Sequence, residues 1–487
     1  MSASGVTSES TARATPLTLP VVLVAVVLVA MSISGTAVAL PSIGKDLEAS
    51  GSPLNWVVAG YNLAFAAMTL VAGSTADRVG RRRVFAVSAV TFALGFLGTA
   101  VSPSILVADV TRIVSGAGAA GLMAAGGALL ASAYDGAARN RAFALMGTVA
   151  GVGIAIGPSL SGLLITATGW RGSFVVFAAI GVLVAAGAGR LRESRSPGGS
   201  ADWPGSLSFV LALSVLMYAV LEAPALGWRD PRVVVALVVG LLALVAFAAL
   251  QRRSESPVLA PELTANRGFL GWSLATLTTS IGFLGVLVFL PTYLQVAAGL
   301  SPAAAGVAML LLTTPVLVMP LIAVTLVNRG ASPRMLILIA LALVVIGNLW
   351  LVVLRPDNTV SVTAVPLLLI GVGMGASFGI TDGQAMSLVP PDAVGMAAGF
   401  LNTLRGAAEA LVIAGFSASL LGFLSARLDG DTDHAAAVSS GRLSHEVTSE
   451  LSAFTWSWQM TQLGVSALCL VLSGIVARLI LSRRPSL

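Results

Sequence analysis

Long apolar runs, separated by short turns rich in charge, glycine or proline, recur along the whole chain. Most of them reach about 20 residues, the length that an α-helix needs to cross a hydrocarbon core of ~30 Å. The alternating pattern that is typical of outer-membrane β-strands is almost absent. We therefore predict an all-α integral membrane protein with 14 transmembrane helices. The predicted helices lie near residues 17–40, 54–75, 84–101, 104–134, 142–166, 172–189, 205–225, 232–250, 268–297, 303–327, 335–354, 360–388, 393–426 and 455–481.

The composition excludes a multidomain soluble enzyme. Hydrophobic residues make up 56% of the chain and charged residues 10%, against about 25% charged in an ordinary soluble domain. The net charge of +6 does not indicate nucleic-acid binding, because the basic residues lie in short turns between apolar runs. The single cysteine, Cys469, lies inside the last run, so no intrachain disulfide or cysteine-based metal site is possible. We expect no metal, no cofactor and no catalytic residues.

The distribution of basic residues predicts the orientation. With both termini on the cytoplasmic side, the inner turns and tails hold 18 of the 27 lysines and arginines, and the outer turns hold seven. Such an excess is the positive-inside pattern of membrane proteins. We predict a multi-pass protein of the bacterial inner (plasma) membrane, with both termini in the cytoplasm.

Polar stretches divide the chain into parts. Residues 1–16 are interpreted as a disordered cytoplasmic tail, and 427–454 as a long outer loop. Two polar linkers, 191–204 and 251–267, bracket an apolar hairpin. The predicted organisation is a six-helix bundle over 17–195, a linker with two extra helices over 196–256, and a second six-helix bundle over 257–484. Such a division suggests two inverted repeats that face each other around a site at the membrane midplane.

The turn after the second run carries a spaced motif, Gly73-Ser-Thr-Ala-Asp77-Arg78-Val-Gly80-Arg81-Arg82-Arg83. It resembles the cytoplasmic signature of the major facilitator superfamily. A glycine permits close helix packing, a carboxylate is stabilised near a helix N-terminus, and arginines favour the anionic leaflet. The resemblance implies a conformational gate at Gly73, Asp77, Arg78, Gly80 and Arg81.

Two further segments resemble motifs of the same family, and two more resemble one of its subfamilies. Arg112-Ile-Val-Ser-Gly116 in the fourth run is similar to its buried-arginine motif, and the fifth run carries an exporter-type motif at Gly153, Gly157, Pro158 and Gly162, with Ser161 in place of a glycine. The 14 runs, together with Leu290-Pro291-Thr-Tyr293-Leu-Gln295 and Gly399-Phe-Leu-Asn402-Thr-Leu-Arg405, resemble the fourteen-helix proton-coupled drug antiporters.

The first helix departs from that subfamily. The subfamily usually carries an acidic residue in this helix, and alignment on Ala39-Leu40-Pro41 places Ser32 at the acidic position. Another buried acid must therefore bind the proton if the protein couples to protons. The candidates inside apolar runs are Asp109, Asp382 and Glu409.

Spacing suggests which arginines accompany these acids. Asp109 precedes Arg112 by three positions and Arg405 precedes Glu409 by four, so each pair shares a helix face. Charges inside a membrane are costly and usually face a partner or a cavity. We expect proton coupling to involve Asp109, Arg112, Glu409, Arg405 and Asp382, with Asp109 first and Glu409 second, although each pair has an alternative structural role.

Six residues are candidates for the substrate cavity, because aromatic rings can stack on a cationic or amphipathic ligand and the others lie in or beside the family-like segments. They are Ser32, Trp56, Tyr61, Tyr293, Gln295 and Asn402. For the aromatic members, packing or interface anchoring is the alternative interpretation.

The resemblance implies a secondary-active exporter, a proton antiporter of amphipathic drug- or antibiotic-like compounds that works by alternating access. We expect the protein to be a monomer. An exporter of lipids or cell-envelope precursors is the main alternative, ahead of an uptake symporter and a non-transporting sensor. No phosphate-binding loop for an ATP-driven pump is present in the sequence. An intramembrane serine hydrolase at Gly375-Ala-Ser377-Phe-Gly379 is disfavoured, because both histidines, His434 and His445, lie in the outer polar loop.

Overall fold

The computed structural model describes residues 15–134, 136–195, 203–253, 266–356, 359–388, 394–443 and 447–481. All regular secondary structure in these ranges is helical. We number the α-helices in chain order: α1 Thr18–Gly35, α2 Leu40–Asp46, α3 Gly51–Val79, α4 Arg81–Ala100, α5 Ile105–Ala133, α6 Gly136–Ala188, α7 Trp203–Leu226, α8 Pro231–Gln251, α9 Arg267–Val296, α10 Pro302–Ala308, α11 Leu310–Asn328, α12 Pro333–Trp350, α13 Thr359–Met386, α14 Val394–Arg427, α15 Thr432–Ser439 and α16 Val447–Leu481.

Eleven helical stretches in the described residues are long and apolar enough to cross a membrane. The first joins α1 to α2 through a short 3₁₀ turn, Thr36–Ala39. Helix α6 has a kink at Gly169, where φ is +73°, a backbone conformation that favours glycine. The fifth and sixth predicted runs lie on the two sides of this kink. The number of spanning helices stays a prediction.

Local capping explains where several helices begin. The Asp230 side chain accepts a hydrogen bond from the backbone N–H of Arg232 at 2.8 Å, and Pro231 occupies the first turn of α8. The Asn266 side chain likewise accepts from the N–H of Gly268 at 3.0 Å at the start of α9. These contacts satisfy backbone donors that the first helical turn leaves unpaired.

The stretch 427–454, which we predicted as one polar loop, contains two helical segments. Helix α15 lies within it and is capped by the Asp431 side chain, which accepts from the N–H of His434 at 2.9 Å. Helix α16 begins at Val447, eight residues before the last predicted run. A capped polar helix that packs on its neighbours has no apolar run to mark it in the sequence. The place of 427–454 outside the membrane, as the long outer loop, stays a prediction.

The helices pack in two groups. Helices α1, α3, α4, α5 and α6 pack on one another and form the N-terminal group, and α9 with α11–α14 and α16 form the C-terminal group. Helix α7 packs on α8, and also on α3 and α14, so it contacts both groups. The division into domains stays a prediction.

The two ends of the molecule differ. We call the end that holds Arg81, Glu193 and Arg329 the basic end, and the other the opposite end. At the opposite end, Gln295 donates to the carbonyl of Val38 at 3.2 Å and Asn55 donates to the hydroxyl of Ser417 at 2.5 Å. Both hydrogen bonds join the N-terminal group to the C-terminal group and close this end.

Candidate functional site

A cavity of about 390 Å³ lies between the two groups of helices. Its volume is within the range of small-molecule sites, about 300–1,000 Å³. The lining comes from α1, α3, α5 and α6 on one side, and from α9, α11, α13 and α14 on the other. Most of the lining is apolar, and three phenylalanines and three methionines contribute to it: Phe65, Phe283, Phe378, Met123, Met146 and Met374.

Among the described residues, two charged side chains line this central cavity, Arg405 and Glu409 of α14. Arg405 forms an ion pair with Asp382 of α13, and its guanidinium lies 5.0 Å from the centre of the Phe378 ring. No ion pair of Glu409 is found among the described residues. The cavity therefore combines a neutralised arginine with a single free carboxylate on an apolar surface.

The antiparallel packing of α3 on α14 determines which part of α3 lies opposite Glu409. Asn55 contacts Ser417, and Gly406 approaches Ala66 so closely that an added Cβ would lie 2.7 Å from the Cβ of Ala66. The two contacts are eleven residues apart on both helices. Glu409, three residues from Gly406, therefore faces the part of α3 around Tyr61, and it acts electrostatically on the Tyr61 phenol.

Arg112, in contrast, is buried inside the N-terminal group. Its Nε donates to the carbonyl of Val57 at 2.9 Å, and its guanidinium lies 4.2 Å from the centre of the Tyr61 ring. Asp109 lies one turn away, but no ion pair joins it to Arg112 within the described residues. Asp109 does not line the central cavity.

The residues predicted for the substrate cavity lie elsewhere. Trp56 donates its indole N–H to Glu222 of α7 at 3.4 Å. The Tyr293 ring packs 5.0 Å from that of Trp458, and Gln295 lies at the closed opposite end. Ser32 and Tyr61 are buried beside Arg112. The side chain of Asn402 lies outside the described residues.

The turn after α3 is held by a residue that sequence reasoning missed. Gly80 adopts φ +128°, and a Cβ there would lie 2.7 Å from the carboxylate of Glu193. Glu193 Oε1 accepts from the backbone N–H of Arg82 at 3.0 Å, and its carboxylate is 3.7 Å from the Nε atoms of Arg82 and Arg83. A carboxylate thus caps α4 where the helix dipole is positive.

The structure describes contacts or exposure for three other residues of the predicted gate, Arg81, Arg78 and Gly73. The N–H of Arg81 donates to the carbonyl of Ser194 at 3.0 Å, and Arg78 is exposed. A Cβ at Gly73 would lie 3.9 Å from that of Ala124, an ordinary contact. The side chain of Asp77 lies outside the described residues, and its role stays a prediction.

The exporter-like motif of α6 lies at two interfaces. Its first glycines face α1, and a Cβ at Gly153 would lie 2.8 Å from the carbonyl of Val27. A Cβ at Gly162 would lie 2.3 Å from the carbonyl of Pro302, and one at Gly306 would lie 2.4 Å from that of Pro158. Helices α6 and α10 therefore approach each other through backbone contacts at the opposite end.

Comparison with known proteins adds the family. The sequence model of the Major Facilitator Superfamily matches residues 22–413. The chain belongs to the major facilitator superfamily. It is accordingly a multi-pass membrane transporter and not an enzyme. The buried Ser377, which accepts a hydrogen bond from Thr279 at 3.0 Å, is part of the helix packing of this transporter.

Curated relatives of this superfamily transporter are resistance and export proteins. The chain is 37% identical to "Puromycin resistance protein pur8" of Streptomyces alboniger over 86% of this chain and 85% of the relative. It is 34% identical to "Cephamycin export protein CmcT" of Amycolatopsis lactamdurans, over 83% and 84% of the two chains. It is also 30% identical to "Multidrug resistance protein Stp" of Mycobacterium tuberculosis, over 82% and 74%.

Solved structures show the same superfamily fold. A bacterial homologue of the human lysosomal transporter Spinster, in an inward-facing and occupied conformation, gives a TM-score of 0.65 at 15% identity, over 96% of this chain and 98% of the other. The peptide transporter POT gives 0.64 at 14% identity, over 95% of both chains. At these identities the likeness concerns the fold alone.

Proposed function

We propose that this superfamily transporter is a proton-coupled exporter of amphipathic, drug-like compounds. The observation that carries the proposal is the central cavity, an apolar chamber between two groups of helices with one free carboxylate. An amphipathic molecule gains free energy by burying apolar surface against the phenylalanines and methionines. The resistance and export proteins among its relatives support the direction of transport.

We propose Glu409 as the proton-binding acid. Glu409 faces the cavity and has no ion pair among the described residues, whereas Asp382 is held by Arg405. A carboxylate that is alternately exposed to the two sides of the membrane can take up a proton on one side and release it on the other. The sequence alone favours Asp109 as the proton-binding acid, but Asp109 lies outside the cavity, and this favours Glu409.

The remaining parts of the proposal concern the assembly in the membrane. We propose 14 spanning helices, with α7 and α8 as an inserted hairpin between two six-helix bundles, in the bacterial plasma membrane with both termini in the cytoplasm. The two groups would alternate access to the cavity by separating at the opposite end while they close at the basic end. The closed opposite end supports this as one of the two states.

The test is transport by proteoliposomes of the purified protein under an imposed pH gradient, with drug-like cations, drug-like acids and lipids tested side by side. Wild type should move drug-like compounds in response to the gradient. Glu409→Gln should abolish gradient-driven transport but retain counterflow exchange, which needs no net proton movement, and Asp109→Asn should keep both activities. Movement of lipids alone would contradict the substrate class, and full gradient-driven transport by Glu409→Gln would contradict the assignment of Glu409.

A further inference from the structure

We propose that Ser32, Tyr61 and Arg112 form a binding site for a small monovalent anion, a halide ion or a carboxylate group. The site lies inside the N-terminal group of helices, next to the central cavity but separate from it. It brings together α1, α3 and α5, which supply one side chain each.

The three side chains are buried and have polar atoms without partners. Arg112 and Tyr61 are 0% exposed and Ser32 is 1% exposed. Within the described residues, Arg112 Nη1 has no hydrogen-bond partner, and Ser32 Oγ and Tyr61 Oη have none beyond each other. Two hydroxyls that bond to each other still leave one O–H free. More than about nine in ten buried polar groups in native proteins are hydrogen-bonded, so a free O–H beside a free guanidinium N–H indicates a missing acceptor.

The atoms lie close together. The guanidinium of Arg112 lies over the Tyr61 ring at 4.2 Å, and Ser32 lies beside the Tyr61 phenol. Each of the three can donate a hydrogen bond. In the occupied site we expect one acceptor to receive from Arg112 Nη1 and from the hydroxyl O–H that remains free.

The charge of Arg112 decides which acceptor fits. A buried charge is costly unless it is paired, and no carboxylate forms an ion pair with Arg112 within the described residues. The aromatic rings of Tyr61, Phe96 and Phe174 around the guanidinium compensate only part of that cost. A water molecule would accept hydrogen bonds but would leave the charge unpaired, whereas an anion does both.

A small cavity lies on the other side of the ring cage. It has space for about one water-sized group and is lined by Phe96 and Phe174, together with Gly35 and Thr36, which follow Ser32 in the chain. Ser32, Tyr61 and Arg112 do not line it. Glu409 of α14 acts electrostatically on the Tyr61 phenol, and Asp109 lies three residues before Arg112 on α5. Neither is within ion-pair distance of Arg112 in the described structure.

The experiment measures anion binding to purified protein in detergent, without a gradient, so that it is independent of export. Thermal unfolding is followed in sodium chloride, bromide or acetate, each titrated against sodium isethionate, a bulkier sulfonate salt without a carboxylate group, at constant ionic strength. Because a ligand of the folded state stabilises it, we expect a saturable rise of the unfolding midpoint with chloride and bromide if the occupant is a halide. A rise with acetate alone would identify a carboxylate group as the occupant. Both results support the anion site.

Three variants locate the binding. Ser32→Ala and Tyr61→Phe each remove one hydroxyl donor and should weaken the apparent anion affinity about tenfold or more, the loss expected for one hydrogen bond to a charged group. Ser32→Asp places a carboxylate beside Arg112 and should abolish the response. The matched control is Ser34→Ala, since Ser34 is equally buried on α1 but its hydroxyl already donates to the carbonyl of Ala30 at 3.3 Å.

Two results would overturn the site. One is a wild-type midpoint that responds to none of the three anions. The other is a response that Ser32→Ala, Tyr61→Phe and Ser34→Ala share in full, because the anion would then bind elsewhere. Since the two hydroxyl deletions make only small changes in volume, the site remains falsifiable even if Ser32→Asp does not fold.

Discussion

At the scale of single residues, Glu193 makes a testable contribution to the basic end. It caps the first turn of α4 and faces Arg82 and Arg83, so Glu193→Ala should lower the free energy of unfolding by about 0.5–2 kcal/mol, the usual cost of losing a helix cap. Glu193→Gln keeps a hydrogen-bond acceptor but loses the charge, and it should lie between wild type and Glu193→Ala. Thermal unfolding in detergent measures the order of the three. Equal midpoints for all three proteins would show that the capping contact contributes no stability.

The residue scale also shows what sequence could and could not predict in the site. Charges inside apolar runs are conspicuous, so Arg405, Glu409 and Asp382 could be singled out from the sequence alone. Their ion-pair partners could not be predicted. Spacing along the helix suggested Glu409 as the partner of Arg405, whereas the packing of α13 against α14 joins Arg405 to Asp382. The phenylalanines and methionines of the cavity carry no signature, since an apolar residue in an apolar helix looks the same whether it faces lipid, a helix or a cavity.

At the scale of helices, the contact between α6 and α10 should control the closed opposite end. Gly162→Ala and Gly306→Ala each place a methyl group within 2.3–2.4 Å of a backbone carbonyl, and such overpacking costs typically about 1–3 kcal/mol. The two helices can remove this steric overlap at the lowest cost by moving apart. We therefore expect either variant to increase the reactivity of a cysteine at Val38→Cys, which is buried at that end, in a Cys469→Ala background.

The control for this prediction lies on the same helix. A Cβ added at Gly147 of α6 has no described atom within 4 Å other than its chain neighbours and the backbone of its own helix, so Gly147→Ala should leave the reactivity at position 38 unchanged. Unchanged reactivity in Gly162→Ala and Gly306→Ala as well would mean that the contact does not hold the end closed.

The helices themselves follow from the hydrophobic pattern, and their details follow from packing. Most apolar runs correspond to helices within a few residues, as for the predicted run 360–388 and the observed Thr359–Met386, because a spanning helix must be apolar over its length. The break at Gly169 agrees with the two predicted runs on its two sides. The short helix α15 was missed, since it depends on capping and on contacts with neighbouring helices.

At the scale of the whole molecule, the fold class and family could be predicted because they depend on patterns that extend over hundreds of residues. The relative placement of the N-terminal and C-terminal groups of helices could not be predicted. Which end is closed depends on contacts such as Asn55 with Ser417, between residues 362 positions apart, and no local pattern reports such a distance. The sequence therefore predicts a transporter but not the state in which its cavity is found.

The orientation in the membrane is a prediction for the molecule as a whole. The basic end carries the arginine-rich turn Arg81-Arg82-Arg83, and an excess of positive charge marks the cytoplasmic side. In a Cys469→Ala background, a membrane-impermeant thiol reagent should label Asp433→Cys, on the exposed part of α15, in intact cells. Gly198→Cys, in the linker before α7, should be labelled only after permeabilisation. Labelling of position 198 in intact cells would invert the orientation or change the number of spanning helices. Because the opposite end is closed, the expected result would also mean that the cavity faces the cytoplasm in this state.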